Sequence, residues 1–528
     1  MNQNILIKGA RVHNLKNITV EIPRYKFTVV TGVSGSGKST LVYDIIFGEA
    51  QRKYLEAINC IDSVFSQRRS SLDIDSISGL SPVISISQKQ GIANQNSTVG
   101  SIAELNDKIR TIYSVAAKGF CPYCNKEVHK YSSKQIIEIM NNLSNDAFIE
   151  IYSPVFRSHN DSLDDFLIKL KHDGFKKIKI DNIVYDITNL ITTDLPQPSI
   201  MMVFIDSIFN GEEKSSCLGK LERAFMVGNN FISLDVISSN DNDKNYFLNC
   251  CDHGIVMDNL KPGFFSFNSI GACKTCNGSG YFLKPTQDLL IKNEDKPLMN
   301  GALYSHTYNK TNLEQFIKHF NIDPNQPYKE LSEELKKKIF FGLSKDEDIK
   351  IKVTCFAEEY FSNVKYKGIL SHVENLYNKA IADGNESKNY YAKFFTPDIC
   401  PDCNGDRLKR QVNWVRFNGE NIHELGEMSF SKLYEFFIAV SENYSNDLFL
   451  KKTIKEITTQ LGIIKRVGLS YLNMNRRADS ISGGELQRLR ISSQIGSGLT
   501  RIIYVLDEPS IGLHAKDTMY CVKNQVKS

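Results

Sequence analysis

The sequence predicts an α/β fold: a P-loop core that also carries a helical domain, zinc modules and two inserted domains. Three observations carry this. A glycine-rich loop follows an apolar, β-branched run and opens a helical one. A short apolar strand near the end of the chain closes on two acids. Cysteines recur in C-x-x-C pairs along a chain of ordinary soluble composition.

Residues 32–39 read G-V-S-G-S-G-K-S and fit G-x-x-x-x-G-K-[ST] at every defined position. Residues 27–31 (F-T-V-V-T) read as a buried strand, and residues 40–47 (T-L-V-Y-D-I-I-F) as the following helix. The chemistry needs that order. Gly32, Gly35 and Gly37 let backbone N–H groups wrap phosphates, and the helix N-terminus adds partial positive charge. Lys38 would reach the β- and γ-phosphates of ATP. Ser39, with Thr40 beside it, would hold Mg²⁺.

At 528 residues the chain exceeds one core, and roughly two to five domains are expected. A net charge of +4 makes any nucleic-acid contact a local patch. No apolar run of about 18 residues is present, and the N-terminus lacks a signal pattern, so a cytoplasmic location is expected.

Further along, residues 5–7 and 18–22 alternate as strands, with Pro23 stopping the second. Residues 84–90 (I-S-I-S-Q-K-Q) alternate again, and a helix is expected over 99–117. Residues 130–249 change texture. A helix over 134–143 and strands at 148–151, 177–180 and 201–205 mark an inserted α/β module. A second insertion, over 285–396, is rich in Lys, Tyr and Phe, with helices near 313–319 and 331–341. Residues 430–469 read as helical.

Two motifs close the chain. Residues 502–509 (I-I-Y-V-L-D-E-P) deliver Asp507 and Glu508 to a sheet edge. Asp507 would hold Mg²⁺ through water, and Glu508 would orient or deprotonate the attacking water. Ser482, Gly483 and Gly484 open a helix and look like the signature of ATP-binding-cassette ATPases. There the Ser hydroxyl and N–H groups face a nucleotide held by another cassette. Gln88 fits the cassette glutamine, which senses Mg²⁺ and couples the core to a helical arm. An acidic pair, a lone Gln or a lone S-G-G is a weak signal. Four features in the right order are a strong one.

In a reducing compartment, paired cysteines suggest zinc before disulfides. Cys250 and His253 (C-x-x-H) precede Cys273 and Cys276 (C-x-x-C), and this spacing predicts one tetrahedral Zn²⁺. Cys251 is an alternative to Cys250. Cys121/Cys124 and Cys400/Cys403 supply two ligands each, and sharing a second Zn²⁺ would close a four-ligand site. A redox pair is the other reading of these two motifs.

Together these residues resemble UvrA, the damage-recognition subunit of the bacterial excinuclease. Residues 32–40 resemble its first Walker A motif, and residues 84–100 its Q-loop segment. Residues 174–181 resemble its UvrB-binding domain, and residues 265–280 its zinc-bearing segment. Residues 400–408 and 480–490 resemble its signature domain. Residues 504–514 (Y-V-L-D-E-P-S-I-G-L-H) are close to a family fingerprint.

The resemblance spans the chain but only the N-terminal half of a UvrA. It implies a core at 1–130, a UvrB-binding-like module at 131–249 and a zinc-bearing segment at 250–286. A DNA-flanking insertion domain at 287–395, a signature domain at 396–499 and a return to the core at 500–528 follow. It also implies ATP, Mg²⁺ and Zn²⁺ as cofactors. The implied partners are damaged double-stranded DNA, a UvrB-like helicase, and self-association or a second-cassette half. Lys336, Lys337 and Lys338 suit phosphate contact. The core sheet is expected to be incomplete, since the family's next strand and its histidine are missing, so hydrolysis by this chain alone stays open. The rival readings are a UvrA-like drug-resistance ATPase and a non-hydrolysing zinc and DNA-binding scaffold.

Overall fold

The computed structural model describes residues 4–57, 72–86, 97–158, 161–181, 183–187, 200–240, 253–343, 349–355, 358–364, 366–496 and 501–507. The chain divides into two compact units, Met1–Cys273 with Leu408–Ser528, and Lys274–Arg407.

In the first unit, strand Asn4–Ala10 lies between Ile18–Pro23 and Ser76–Ser78, antiparallel to both. Its alternation turns Ile5 and Ile7 inward onto Leu15, Leu41, Ile45 and Ile46. That small core fixes the helical segment Thr40–Phe47, a π-type turn that continues into helix Gly48–Ala57. Strand Val83–Ile86 pairs in parallel with Ile503–Leu506, with Val505 opposite Ser85.

The strand expected over residues 27–31 is absent. Tyr25 takes a left-handed conformation (φ 58°) just after Pro23, and the chain beyond it is extended but unpaired. Phe27, Val29 and Val30 are exposed. Among the described residues no strand offers it a ladder partner. Without that partner an apolar, β-branched run does not become a strand.

A ten-stranded sheet dominates the first unit. Its order runs Glu420–Asn421, Val415–Phe417, Lys118–Phe120, Glu127–Lys130, Ile255–Met257, Phe231–Ile237, Phe148–Phe156, Ile200–Phe209, Lys177–Ile180, Ile183–Asp186. Its pairings are antiparallel except for Ile255–Met257 on Glu127–Lys130. The far half packs helices Ser133–Met140, Leu163–His172 and Lys214–Val227 into a core of its own. The near half joins the core of Asn106–Ala116, Phe430–Ser441 and Leu448–Arg466.

Two expected helices are shorter than their periodicity implied. Residues 99–117 split into Val99–Ile102 and Asn106–Ala116, because Glu104 turns left-handed (φ 58°). Residues 430–469 break between Ser441 and Leu448, where the Asp447 carboxylate caps the N–H groups of Phe449 and Leu450 at 2.9 and 3.0 Å.

The second unit is based on the antiparallel pair Tyr281–Pro285 and Phe395–Ile399. Helices Lys310–His319, Glu333–Phe341 and Gly368–Ala382 bury Phe316, Phe340 and Val373 in one core. A hairpin, Ile349–Cys355 with Glu358–Val364, completes it.

Candidate functional site

Two kinds of candidate site emerge: the glycine-rich loop with the strand that ends at Asp507, and two thiol-rich clusters. The loop departs from its small sheet through left-handed Gly35 (φ 79°) and Gly37 (φ 91°). The φ of Gly37 is one that L side chains rarely adopt, and a Cβ there would also crowd Leu15 Cδ2 at 2.6 Å, so glycine is favoured. The Lys38 ammonium folds back and donates to the carbonyls of Gly32 (2.9 Å) and Val33 (2.8 Å). Those carbonyls hold the cation where the loop curls. Ser39 directly precedes the helical segment that starts at Thr40, and its side chain makes no capping hydrogen bond.

Strand Ile503–Leu506 delivers Asp507 to the same neighbourhood. Its backbone carbonyl accepts from Gln487 Nε2 at 2.6 Å. Burial, aided by the negative charge of Asp507, pushes the Tyr43 hydroxyl up to about 12. Tyr43 lies on the segment that follows Lys38, and Ile503 of the strand that ends at Asp507 packs on the same small core.

Ser482, Gly483 and Gly484 sit at the start of helix Gly483–Gly496. A capping box organises this end: Ser482 N–H donates to Glu485 Oε2 (2.7 Å), and Glu485 N–H donates to Ser482 Oγ (3.3 Å). Burial would raise the Glu485 carboxyl, but donors from Tyr471 and Ser482 win and hold it below its ordinary value. Among the described residues no hydrogen bond joins these three residues to residues 32–40. Gln88, Glu508 and Cys250 lie outside the described residues.

The thiol clusters correct the expected pairing. Cys273, Cys276, Cys400 and Cys403 form one group, all buried. Cys121, Cys124 and His253 form the other. So Cys273/Cys276 does not join His253, and Cys400/Cys403 does not join Cys121/Cys124. The reason is strand register. Tyr281 pairs with Ile399 and Phe282 with Asp398, and Cys400 N–H donates to the Gly280 carbonyl at 3.0 Å. This ladder brings the start of one strand beside the end of the other, and with them Cys276 beside Cys403, 127 residues away. Likewise Val256 pairs with His129, which sets His253 beside the turn between strands Lys118–Phe120 and Glu127–Lys130, where Cys121 and Cys124 lie.

Both groups fit a tetrahedral metal. Ligand atoms within each lie inside 4.8 Å of one another. Cys276 Sγ is 3.7 Å from Cys403 Sγ, and Cys121 Sγ is 3.7 Å from His253 Nδ1. A tetrahedron of zinc–thiolate bonds has edges of about 3.8 Å. Gly280 N–H donates to Cys276 Sγ at 3.3 Å, as a thiolate requires. Tyr123 stacks on the His253 ring with centroids 4.8 Å apart.

The tight turn that the sequence offers at Asn277–Gly280 recurs at the other two pairs. The residue after each second cysteine, Asn125, Asn277 and Asn404, is left-handed with φ between 48° and 57°. Asparagine tolerates that conformation and makes the knuckle turn.

The family comparisons agree with this architecture. Residues 131–238 match the UvrA interaction domain, and residues 287–393 match the UvrA DNA-binding domain. UvrABC system protein A of Clostridium perfringens (strain 13 / Type A) is 33% identical over 533 residues, covering 98% of this chain and 56% of the relative. That of Malacoplasma penetrans (strain HF-2) is 34% identical over 532 residues, covering 97% and 55%. The Methanothermobacter thermautotrophicus protein is 32% identical over 531 residues, covering 98% and 55%. The crystal structure of UvrA2 from Deinococcus radiodurans covers 99% of this chain and 51% of its own, with TM-score 0.55 and 22% identity, which shows the fold. The chain thus spans about half the length of the curated relatives it matches. Both matched domains are those of UvrA, and the similarity to these relatives runs through the whole length of the chain.

Proposed function

We propose that this chain is the nucleotide-binding, DNA-recognising part of a UvrA-type damage-recognition subunit in nucleotide excision repair. One observation carries the reading. A single chain combines a glycine-rich phosphate-loop motif, packed on the same small core as the strand that ends at Asp507, with the two matched modules, one for interaction and one for DNA. We assign the interaction module to residues 131–249 and the DNA-flanking module to residues 287–395. The first docks a UvrB-like helicase, and the second contacts the duplex.

In this reading Lys38 leaves the Gly32 and Val33 carbonyls for the phosphates of ATP. Ser39, Thr40 and Asp507 hold Mg²⁺ between phosphate and strand end. Glu508 orients water, and Gln88 couples the metal to the helical domain. Ser482, Gly483 and Gly484 serve a nucleotide held by another cassette, either a second copy or a second-cassette half. Zinc at the two thiol clusters stabilises the fold and carries no chemistry of its own. Among the described residues no helix is long and apolar enough to cross a membrane, and a cytoplasmic repair role is consistent with that.

The test is binding by the purified chain to duplex DNA with and without a bulky adduct, at fixed salt, with ATP, with ADP and without nucleotide. Capture of a purified UvrB helicase is measured in parallel. Adduct preference that nucleotide modulates, with UvrB capture lost on deleting residues 131–249, is the expected result. Equal binding to both duplexes and no UvrB capture would sink it.

A further inference from the structure

The turn between the first two strands makes a set of contacts that the nucleotide motifs do not account for. Residues 11–17 leave strand Asn4–Ala10 and return in strand Ile18–Pro23. Both ends of this short stretch are engaged. Arg11 Nε donates to Asp73 at 3.0 Å, Arg11 Nη1 donates to Asn17 Oδ1 at 2.7 Å, and Arg11 also pairs with Asp75. Leu15 N–H closes the turn on the Val12 carbonyl at 3.1 Å. His13 and Asn17 are both left-handed, at φ 51° and 53°. The turn is therefore clamped at both ends before it meets anything else.

What it meets is the phosphate loop. Asn14 Nδ2 donates to the Gly35 carbonyl at 2.9 Å. Leu15 Cδ2 packs under Gly37. His13 Nδ1 lies 3.4 Å from both Thr40 Oγ1 and Asp44 Oδ2, on the segment leaving the loop. Ser36 N–H is held in turn by the Val33 carbonyl at 3.2 Å. The peptide between Gly35 and Ser36 is therefore pinned at its oxygen by Asn14 and at its nitrogen by the loop itself. A peptide is planar, so fixing both ends fixes its orientation. That plane sets the direction in which the chain enters Gly37 and Lys38.

We propose that the turn at residues 11–15 is a positioning element of the phosphate loop, with Asn14 as its positioning residue for a nucleoside triphosphate. This rests on the nucleotide reading above. Glycines give the loop its permitted conformations but also its freedom, and an unrestrained loop must lose that freedom when phosphate binds. Asn14 removes part of that cost in advance. Its amide is engaged with the Gly35 carbonyl, so its effect acts through the loop backbone. The loop's own residues at Gly35 and Gly37 carry no side chain able to do this.

The experiment uses the full chain and equilibrium binding of Mg·ATP. It compares wild type with Asn14→Ala, Asn14→Asp (same shape, no N–H donor) and Lys38→Ala. Unfolding midpoints and hydrogen exchange of peptides covering residues 32–39 are measured without nucleotide. Losing one neutral hydrogen bond weakens binding by about five-fold, and that is the expected effect in both Asn14 variants. Their exchange at 32–39 rises while their midpoints match wild type. Wild type and both Asn14 variants binding alike, with Lys38→Ala impaired, overturns this proposal alone. Wild type showing no Lys38-dependent binding overturns the nucleotide reading and the proposal with it. Both Asn14 variants unfolding at lower midpoints than wild type would make the residue a structural one and also overturn it.

Discussion

The sulfurs of Cys276 and Cys403 lie 3.7 Å apart although 127 residues separate them in sequence. That contact is closer than anything Cys276 makes with His253, its nearer neighbour in the chain, which instead meets Cys121. Strand ladders carry ligands over long separations, and loop length limits this only weakly because closure entropy grows slowly.

The first prediction follows from the pairing. With one zinc proposed for each cluster, Cys276→Ser and Cys403→Ser should each lower zinc content by about one per chain. Combined, they should lower it no further, because they share an ion. Cys276→Ser with Cys121→Ser should lower it by about two. Metal analysis of the purified variants reads this directly. A double variant of Cys276 and Cys403 losing two ions would restore the pairing expected from spacing.

The second concerns the interaction module. Lys179 is only 8% exposed and binds Asp235 at 2.6 Å, with its ammonium 4.6 Å from the centre of the Tyr152 ring. Lys179→Met leaves Asp235 without its cation while filling the same space. Asp235 is one-third exposed and water relieves part of the penalty, so the expected loss is about 2 kcal/mol. Adding Asp235→Asn should recover part of it. Denaturant unfolding of the two variants and the wild type measures both steps.

The third is a pH dependence. Hydrogen bonds from Ser239, Ser144 and the Ser239 backbone N–H hold the Asp146 carboxyl down to about 2. The unfolded value is about 3.9. A depressed folded value means a contribution fully present above pH about 4 and lost as pH falls through about 2. Asp146→Asn should thus lower stability at neutral pH and make no difference near pH 2. Unfolding midpoints recorded along a pH series should converge at the acid end; a constant gap would refute this.

These cases also show what a reader of the sequence can see. Strands Phe148–Phe156, Lys177–Ile180 and Ile200–Phe209 were visible as apolar β-branched runs, because each supplies its own buried face. The loop at residues 32–39 was visible because its chemistry is local. Residues 27–31 misled, since the same run lacks a partner strand and stays exposed. Cysteine pairing was illegible for the same reason: it depends on which strand pairs with which, a non-local choice that spacing does not encode. The contribution of Asn14 was hidden too, because an asparagine in a turn looks like turn chemistry until its amide is seen on the Gly35 carbonyl.

The last prediction separates three adjacent lysines that sequence alone treats alike. Lys336 pairs with Glu333 at 2.8 Å and lies over the Tyr328 ring at 5.3 Å, with its side chain only 14% exposed. Lys338 pairs with Glu334 at 3.4 Å and lies over Phe320 at 5.1 Å. Lys337 is exposed on the same helix. The first and third hold helix Glu333–Phe341 to its unit, which leaves Lys337 as the lysine of the run that is free to meet a phosphate. Lys337→Ala should then weaken DNA binding at low salt and reduce the slope of log affinity against log salt by about one, at unchanged stability. Lys336→Ala should do the reverse, costing about 1 kcal/mol of stability with little change in slope. Anisotropy titrations across a salt series, beside unfolding curves for each variant, distinguish the two. Equal slopes for wild type and Lys337→Ala would remove this helix from the DNA contact.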